Sequence, residues 1–182
     1  MKKILFILGS LREKSFNKQV ARYVETLLEG KAEVKWLNYT DVPFVNQDIE
    51  FPTPQPVARV RKDVLDSDAL WVFTPEYNYS YPGIVKNLFD WLSRPMSADP
   101  ANRTTAIQGK PVMLTGMGGK NKTWDCREKL TALLDFLQAK VWTPQVGLMV
   151  NAEAWADNKV VLDNEQKEEL RKQANSLLLN LQ

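Results

Sequence analysis

Residues 74–83 read TPEYNYSYPG, a stretch of polar and aromatic side chains between the apolar runs DALWVF and IVKNLFDWL. A plain connection between a strand and a helix needs only a few turn residues. Pro75 stiffens the backbone here, and Tyr77 and Tyr79 offer flat apolar surface. Asn78 can both donate and accept hydrogen bonds. These residue types suit the wall of a pocket for a flat ring with polar edges. The alternative is a surface turn whose tyrosines pack on neighbouring helices.

A second cluster, GSLREKSFNK at residues 9–18, offers groups that bind anions. Ser10, Ser15 and Asn17 supply neutral donors around a predicted helix N-terminus, where unpaired N–H groups and the helix dipole favour phosphate. Arg12 adds a charged guanidinium, which can form two parallel hydrogen bonds to a phosphate. Neither G-x-G-x-x-G nor G-x-x-x-x-G-K is present, so a monophosphate is favoured over a diphosphate or triphosphate. A capping serine before a solvated turn would explain Ser15 alone, but not the cluster.

A third stretch, TGMGGKNKTW at residues 115–124, is rich in glycine. Gly116, Gly118 and Gly119 allow a backbone to approach a ligand closely and leave N–H groups bare. A mobile turn between a strand and a helix would have the same composition.

The composition excludes several classes of site and partner. The chain has no histidine, which removes Ser-His and Cys-His nucleophiles and the usual zinc sites. Cys126 is the only cysteine, so we expect no disulfide framework and no metal cluster, and a reducing cytoplasm fits. A formal net charge of +2 does not indicate nucleic acid or an anionic membrane as partner. No stretch approaches a membrane span, and we interpret the apolar run after MKK as a buried strand rather than a signal peptide.

The elements that must position these clusters alternate along the chain. Apolar and alternating runs predict strands at KILFIL, AEVKWLN, DALWVF, KPVMLTG and AKVWTPQVGLMV, the last with a proline that suggests an edge or a break. Helical spacing predicts helices over residues 16–28, 57–65, 84–92, 130–137 and 170–181. Residues 40–56 hold four prolines and are predicted to form a loop.

This alternation predicts a single α/β domain over residues 1–182, with a parallel sheet and helices on both faces. Ligands bind beyond the carboxyl ends of the strands in such folds, at the point where the strand order switches. The three chemically unusual stretches follow strands one, three and four, so we expect them to meet there.

GSLREKSFNK resembles the phosphate loop, and PEYNYSYPGIVKNLFDWLSRP the ring-binding segment, of the NADPH-dependent FMN reductases. This flavodoxin-like family includes quinone, chromate and azo-dye reductases. VPFVNQDIE and GKPVMLTGMGG also fit its pattern, so the resemblance spans most of the chain. It implies a five-stranded sheet of order 2-1-3-4-5. It also implies FMN-binding residues, namely Ser10, Arg12, Ser15, Phe16, Asn17, Pro75, Glu76, Tyr77, Asn78, Thr115, Gly116, Gly118 and Gly119. No catalytic side chain and no metal are implied.

The resemblance further implies an NAD(P)H-dependent oxidoreductase that passes hydride through FMN to a quinone, an azo compound, free flavin or a metal oxyanion. It also implies NADPH or NADH as the co-substrate and a homodimer or a homotetramer as the assembly. The alternative is a non-catalytic electron carrier or a flavin-binding module. Flavodoxins tend to be strongly acidic and use a threonine-rich phosphate loop, whereas this chain is nearly neutral and carries GSLREKSFN.

Overall fold

A computed structural model describes residues 1–182 and contains a wholly parallel sheet. The strand order is β2-β1-β3-β4, with the short β5 and β6 both paired to β4. The strands are β1 (Lys2–Leu8), β2 (Ala32–Trp36), β3 (Ala69–Thr74), β4 (Pro111–Gly118), β5 (Lys140–Val141) and β6 (Val146–Met149). The predicted order 2-1-3-4-5 is confirmed.

The fifth position of the sheet is divided in two. β5 pairs with the start of β4, through Pro111 and Val112, and β6 pairs with its end. Between them lies Pro144, which has no N–H to donate to a sheet ladder. The break suggested by the proline in AKVWTPQVGLMV is therefore present.

Helices cover both faces of the sheet, as the alternation predicts. They are α1 (Phe16–Leu28), α2 (Gln55–Leu65), α3 (Gly83–Leu92), α4 (Trp124–Phe136), α5 (Ala154–Asp157) and α6 (Asn164–Asn180). α6 begins with a capping box between Asp163 and Gln166. The sequence patterns missed α5, and they missed a 3₁₀-helix at Gln47–Ile49 within the predicted loop. No helix is long and apolar enough to cross a membrane.

Two apolar clusters hold the helices to the sheet. On one face, Val20 and Val24 of α1 and Leu177 of α6 belong to the same buried cluster as Trp71 of β3. On the other face, α2, α3 and α4 contribute the buried residues Val60, Leu88 and Leu130. β1 and β3 lie at the centre and are buried from Ile4 to Ile7 and from Ala69 to Phe73. The loops that leave their carboxyl ends are thus anchored on rigid strands.

Candidate functional site

The three chemically unusual stretches meet at the carboxyl edge of the sheet, around a cavity of about 330 Å³. Its walls come from Ser10, Arg12, Ser15, Phe16, Asn17, Pro75, Glu76, Tyr77, Met117, Gly118, Gly119 and Trp155. β1 neighbours both β2 and β3, so the connections that leave β1 and β3 diverge here. A crevice of this kind is where α/β sheets bind ligands.

The first wall is the start of α1. Ser15 is the N-cap residue, and its hydroxyl oxygen accepts from the Lys18 N–H at 3.4 Å. Because a helix N-terminus leaves its first N–H groups without intrahelical acceptors, the first turn after Ser15 presents donors at the cavity. Ser10, Ser15 and Asn17 are all buried. This donor set is that of an anion site at a helix N-terminus.

Asn17 joins this first wall to the glycine-rich stretch after β4, which forms the third wall. Its Nδ2 donates to the Met117 carbonyl oxygen at 3.0 Å, and the Met117 N–H donates to its Oδ1 at 2.9 Å. A buried amide that both donates to and accepts from one backbone position fixes the distance between the two loops. The structure thus gives Asn17 a positioning contact that the sequence did not reveal.

Arg12 is held in place by a segment far along the chain. Its Nη1 donates to Asn158 Oδ1 at 2.6 Å, and its guanidinium lies 4.4 Å from the centroid of the Phe16 ring. The Phe16 ring in turn contacts Trp155 of α5 edge to face, with centroids 5.2 Å apart. Trp155 and Met117 line the cavity and were missed from sequence. Trp155 could have been noticed in the sequence because it is a large aromatic residue in the polar stretch just after the last strand.

The second wall is a tight turn. Tyr77 and Ser80 exchange two backbone hydrogen bonds of 2.9 and 3.0 Å, and Asn78 and Tyr79 between them have φ values of 51° and 58°. Asparagine tolerates this left-handed conformation better than most residues. Tyr77 is 51% exposed and lines the cavity, whereas Asn78 does not line it. The Tyr79 carbonyl accepts from Lys129 Nζ at 2.6 Å, which ties the turn to α4.

Glu76 connects this turn to the start of α4. Its Oε2 accepts from the Cys126 N–H at 2.9 Å, and its Oε1 accepts from Asn121 Nδ2. The N-cap residue of α4, Thr123, makes no capping bond with its own side chain. The Glu76 carboxylate therefore supplies the cap from another loop, and it lies where the helix dipole favours negative charge.

Cys126 lies behind the second wall. Its Sγ is 3.5 Å from the Pro75 carbonyl oxygen, and the residue is fully buried. Burial raises the pKa of its thiol to about 11, so the thiol is protonated and unreactive at neutral pH.

In the glycine-rich third wall, Gly116 and Gly118 have no room for a side chain, whereas Gly119 has. A Cβ at Gly116 would lie 1.9 Å from Thr123 Oγ1, and one at Gly118 would lie 2.8 Å from Thr123 Cγ2. A Cβ at Gly119 would meet nothing within 4 Å. Gly118 and Gly119 line the cavity, and Gly116 does not.

Thr115 is also placed away from the cavity. Its hydroxyl donates to Gln173 Oε1 at 2.7 Å and accepts from Trp71 Nε1 at 2.8 Å, and the side chain is fully buried. The structure thus brings the first-loop residues, Pro75, Glu76, Tyr77, Gly118 and Gly119 together, and leaves Asn78, Thr115 and Gly116 outside the lining.

The residues present fit FMN. One end of the cavity has serine hydroxyls, an arginine and a helix N-terminus, which suit a monophosphate. The other end has a rigid proline, an exposed tyrosine and glycine backbone, which suit a flat ring. Fold and donor set together define a flavodoxin-like nucleotide-binding protein.

The chain belongs to the NADPH-dependent FMN reductase family, whose model matches residues 2–153. FMN is therefore its cofactor, and NAD(P)H is the reductant of its class. The chain is 30% identical over 180 residues to an NAD(P)H-dependent FMN reductase of Pseudomonas aeruginosa, covering 97% of this chain and 94% of the relative.

Two further similarities were found. A 2-hydroxy-1,4-benzoquinone reductase of a Burkholderia species is 38% identical over 93 residues, so the match spans about half of each chain, 51% in both. Among solved structures, FerB, a flavoenzyme NAD(P)H:(acceptor) oxidoreductase of Paracoccus denitrificans, superposes with a TM-score of 0.86 at 28% identity. That match covers 100% of this chain and 97% of FerB.

Proposed function

We propose that the protein is an NAD(P)H-dependent, FMN-containing oxidoreductase with quinone-like acceptors, built as a single domain over residues 1–182. The observation that carries the proposal is one cavity that joins an anion-binding helix N-terminus to an exposed aromatic turn. Bound FMN would supply hydride acceptance from NAD(P)H and electron delivery to the acceptor. The name of the Burkholderia relative supports quinone-like acceptors, and the name of FerB supports NAD(P)H as the reductant.

In this proposal, the first wall binds and orients the phosphate. Ser10, Ser15 and the first-turn N–H groups of α1 are neutral donors, and Arg12 carries the positive charge. Asn17 positions this wall through its two bonds to Met117. Trp155 and Phe16, in edge-to-face contact, would border the side of the phosphate loop.

The second and third walls orient the ring. Pro75, Tyr77, Gly118 and Gly119 line that end, and Glu76 keeps the turn at a set distance from α4. Both carboxylate oxygens of Glu76 already accept hydrogen bonds, and the Cys126 thiol is buried. Glu76 would therefore position the turn, and hydride transfer from NAD(P)H to bound FMN would need no proton from either group.

We also propose assembly with a second copy of the chain in a reducing cytoplasm. The 40–56 loop exposes apolar side chains, including Phe44 at 86%, Ile49 and Phe51. The loop is held firmly, because Trp91 Nε1 donates to the Pro43 carbonyl at 2.7 Å and Asn87 Oδ1 accepts from the Val45 N–H at 2.8 Å. A fixed apolar surface of this kind suits a subunit interface. The single, buried thiol suits a reducing compartment.

Anaerobic mixing of FMN-loaded protein with NADPH or NADH tests the activity. We expect rapid bleaching of the flavin absorbance by at least one nucleotide, followed by reoxidation with benzoquinone. Azo dyes, free flavin and chromate complete the acceptor panel. Bound FMN that neither nucleotide reduces would contradict the proposal and indicate an electron carrier or a binding module.

A further inference from the structure

Arg127, in the first turns of α4, is a buried arginine without a counter-ion. Only 8% of its surface is exposed. Its Nη1 lies 3.5 Å from Gln145 Oε1, at the limit of a hydrogen bond, and its Nε has no partner. The charges of Glu128, Glu169 and Glu76 act on it through space, but none of them forms an ion pair with it.

This arrangement is costly for the protein alone. The burial of Arg127 leaves its charged form poorly solvated, which lowers its pKa from the ordinary value. A guanidinium cannot escape this cost by losing its proton, because arginine stays charged in proteins. Buried charges are ordinarily paired or bound to ions.

The surroundings hold the guanidinium firmly. It lies 5.6 Å from the centroid of the Trp124 ring, within cation–π range. A Cβ at Gly147 would lie 2.3 Å from the Lys122 carbonyl oxygen and 2.5 Å from Arg127 Nη2, so the glycine leaves room for both groups against β6. Gln145 Nε2 donates to Thr131 Oγ1 at 2.8 Å, which turns the amide oxygen of Gln145 towards Arg127.

A cavity of about 280 Å³ adjoins Arg127. Its walls are Trp124, Arg127, Glu128, Thr143 and Gln145, and it shares no residue with the FMN cavity. Nη1 lies 3.5 Å from Gln145 Oε1, and Arg127 and Gln145 both line this cavity. The one carboxylate, Glu128, is exposed and makes no hydrogen bond to any of the other lining residues.

We propose that this cavity is an anion site, in which the Arg127 guanidinium binds a small oxyanion or a carboxylate. The ligand is either a free ion or a carboxylate side chain from a second copy of the chain, since both present the same oxygen geometry to a guanidinium. The cavity volume suits a group of that size, and the ligand provides the charge that the chain itself does not place beside Arg127.

Thermal unfolding of FMN-loaded protein tests the site, because loaded FMN keeps the added anion out of the phosphate loop. Chloride is replaced stepwise by sulfate or malonate at constant ionic strength. At ten times its dissociation constant, the anion should raise the unfolding midpoint of the wild type by about 3–5 °C. Arg127→Met should keep only the general stabilisation that sulfate gives to any folded protein, and in chloride alone it should be at least as stable as the wild type. Arg171→Met, which removes an exposed charge instead, should respond like the wild type.

Sedimentation of the same variants separates the two sources of the ligand. A wild type that ignores added anions, together with an Arg127→Met variant that sediments as a smaller assembly, assigns the site to a carboxylate of a second copy. Arg127→Met could instead be less stable by the same amount at every anion concentration, with unchanged assembly. In that case Arg127 only packs against Trp124 and Gln145, and the proposal is overturned. Arg127→Gln replaces the methionine variant if that one does not fold.

Discussion

The two ends of the cavity, which we propose to hold the phosphate and the ring of FMN, are built in different ways. At the phosphate end, the donors lie within one short stretch, and Ser15 caps the helix that follows it directly. At the ring end, the turn at Tyr77–Ser80 takes its position from α4, through Glu76 to the Cys126 N–H and through the Tyr79 carbonyl to Lys129. These contacts join residues about fifty positions apart in sequence. The donors of the first end are close together in sequence, and Asn158 and Met117 only hold Arg12 and Asn17 in place. The second end, by contrast, takes its position from α4.

Removing the Glu76 carboxylate should have the largest effect, because it releases the ring end from α4. We expect Glu76→Ala to slow flavin reduction by about a hundredfold in FMN-loaded protein, the scale of a small misplacement of reacting atoms. Stopped-flow absorbance under anaerobic conditions measures this rate.

Glu76→Gln is the matched control, since the amide oxygen can still accept from the Cys126 N–H. It should keep most of the rate, with little change between about pH 6 and 8, the range in which a tuned acid or base would titrate. A bell-shaped wild-type profile that disappears in Glu76→Gln would instead make the carboxylate an acid or a base.

Arg12→Ala should act on the phosphate end alone. Loss of a charged hydrogen bond should weaken FMN binding by about 1.5–3 kcal/mol, while the reduction rate at saturating FMN stays near that of the wild type. Fluorescence titration of the apoprotein with FMN gives the affinity. Unchanged affinity would show that Arg12 serves only its contacts with Asn158 and Phe16.

Trp155→Ala should have a smaller effect on the same end. It removes the edge-to-face contact with Phe16, and such pairs contribute about 0.5–1.5 kcal/mol. FMN affinity should fall by up to about tenfold, and Trp155→Phe should recover much of the loss. An unchanged FMN affinity in the alanine variant would show that α5 does not contribute to FMN binding.

Cys126 should give the smallest effect near neutral pH. Burial raises its thiol pKa from the ordinary 9.0 to about 11, so this contribution to stability is complete below about pH 9 and is lost as pH rises towards 11. We expect no alkylation by iodoacetamide in folded, FMN-loaded protein at pH 8, and full alkylation after denaturation. Cys126→Ala should lack this part of the alkaline loss of stability. Rapid alkylation of the folded protein would show that the second wall opens.

The predictable part of the fold came from apolar periodicity and short-range signals. The helix over residues 16–28 and the break in the fifth strand both depend on neighbours in sequence. α5 is only four residues long and has no apolar period to detect. The strand order was predicted by resemblance to a family rather than by periodicity, because pairing partners lie far apart along the chain.

The candidate site shows the same division between features set by nearby residues and features set by distant ones. Ser10, Arg12 and Ser15 could be selected from their types and spacing, because a helix N-terminus that binds an anion is assembled from consecutive residues. Gly116 had the right type but packs against Thr123, and the hydroxyl of Thr115 is bonded to Trp71 and Gln173. Residue type reveals what a side chain can do, whereas its neighbours decide whether it is free to do it.

The amino-acid sequence by itself determined the alternation of strands and helices, the donor-rich composition of the stretch after β1 and the absence of histidine chemistry. Only the tertiary structure decided that Trp155 lines the proposed FMN cavity, that Glu76 caps α4 and that Arg127 is buried without a counter-ion. The physical reason is the range of the interactions. Helix periodicity and capping act within a few residues, whereas burial and ion pairing depend on which distant segments the sheet brings together.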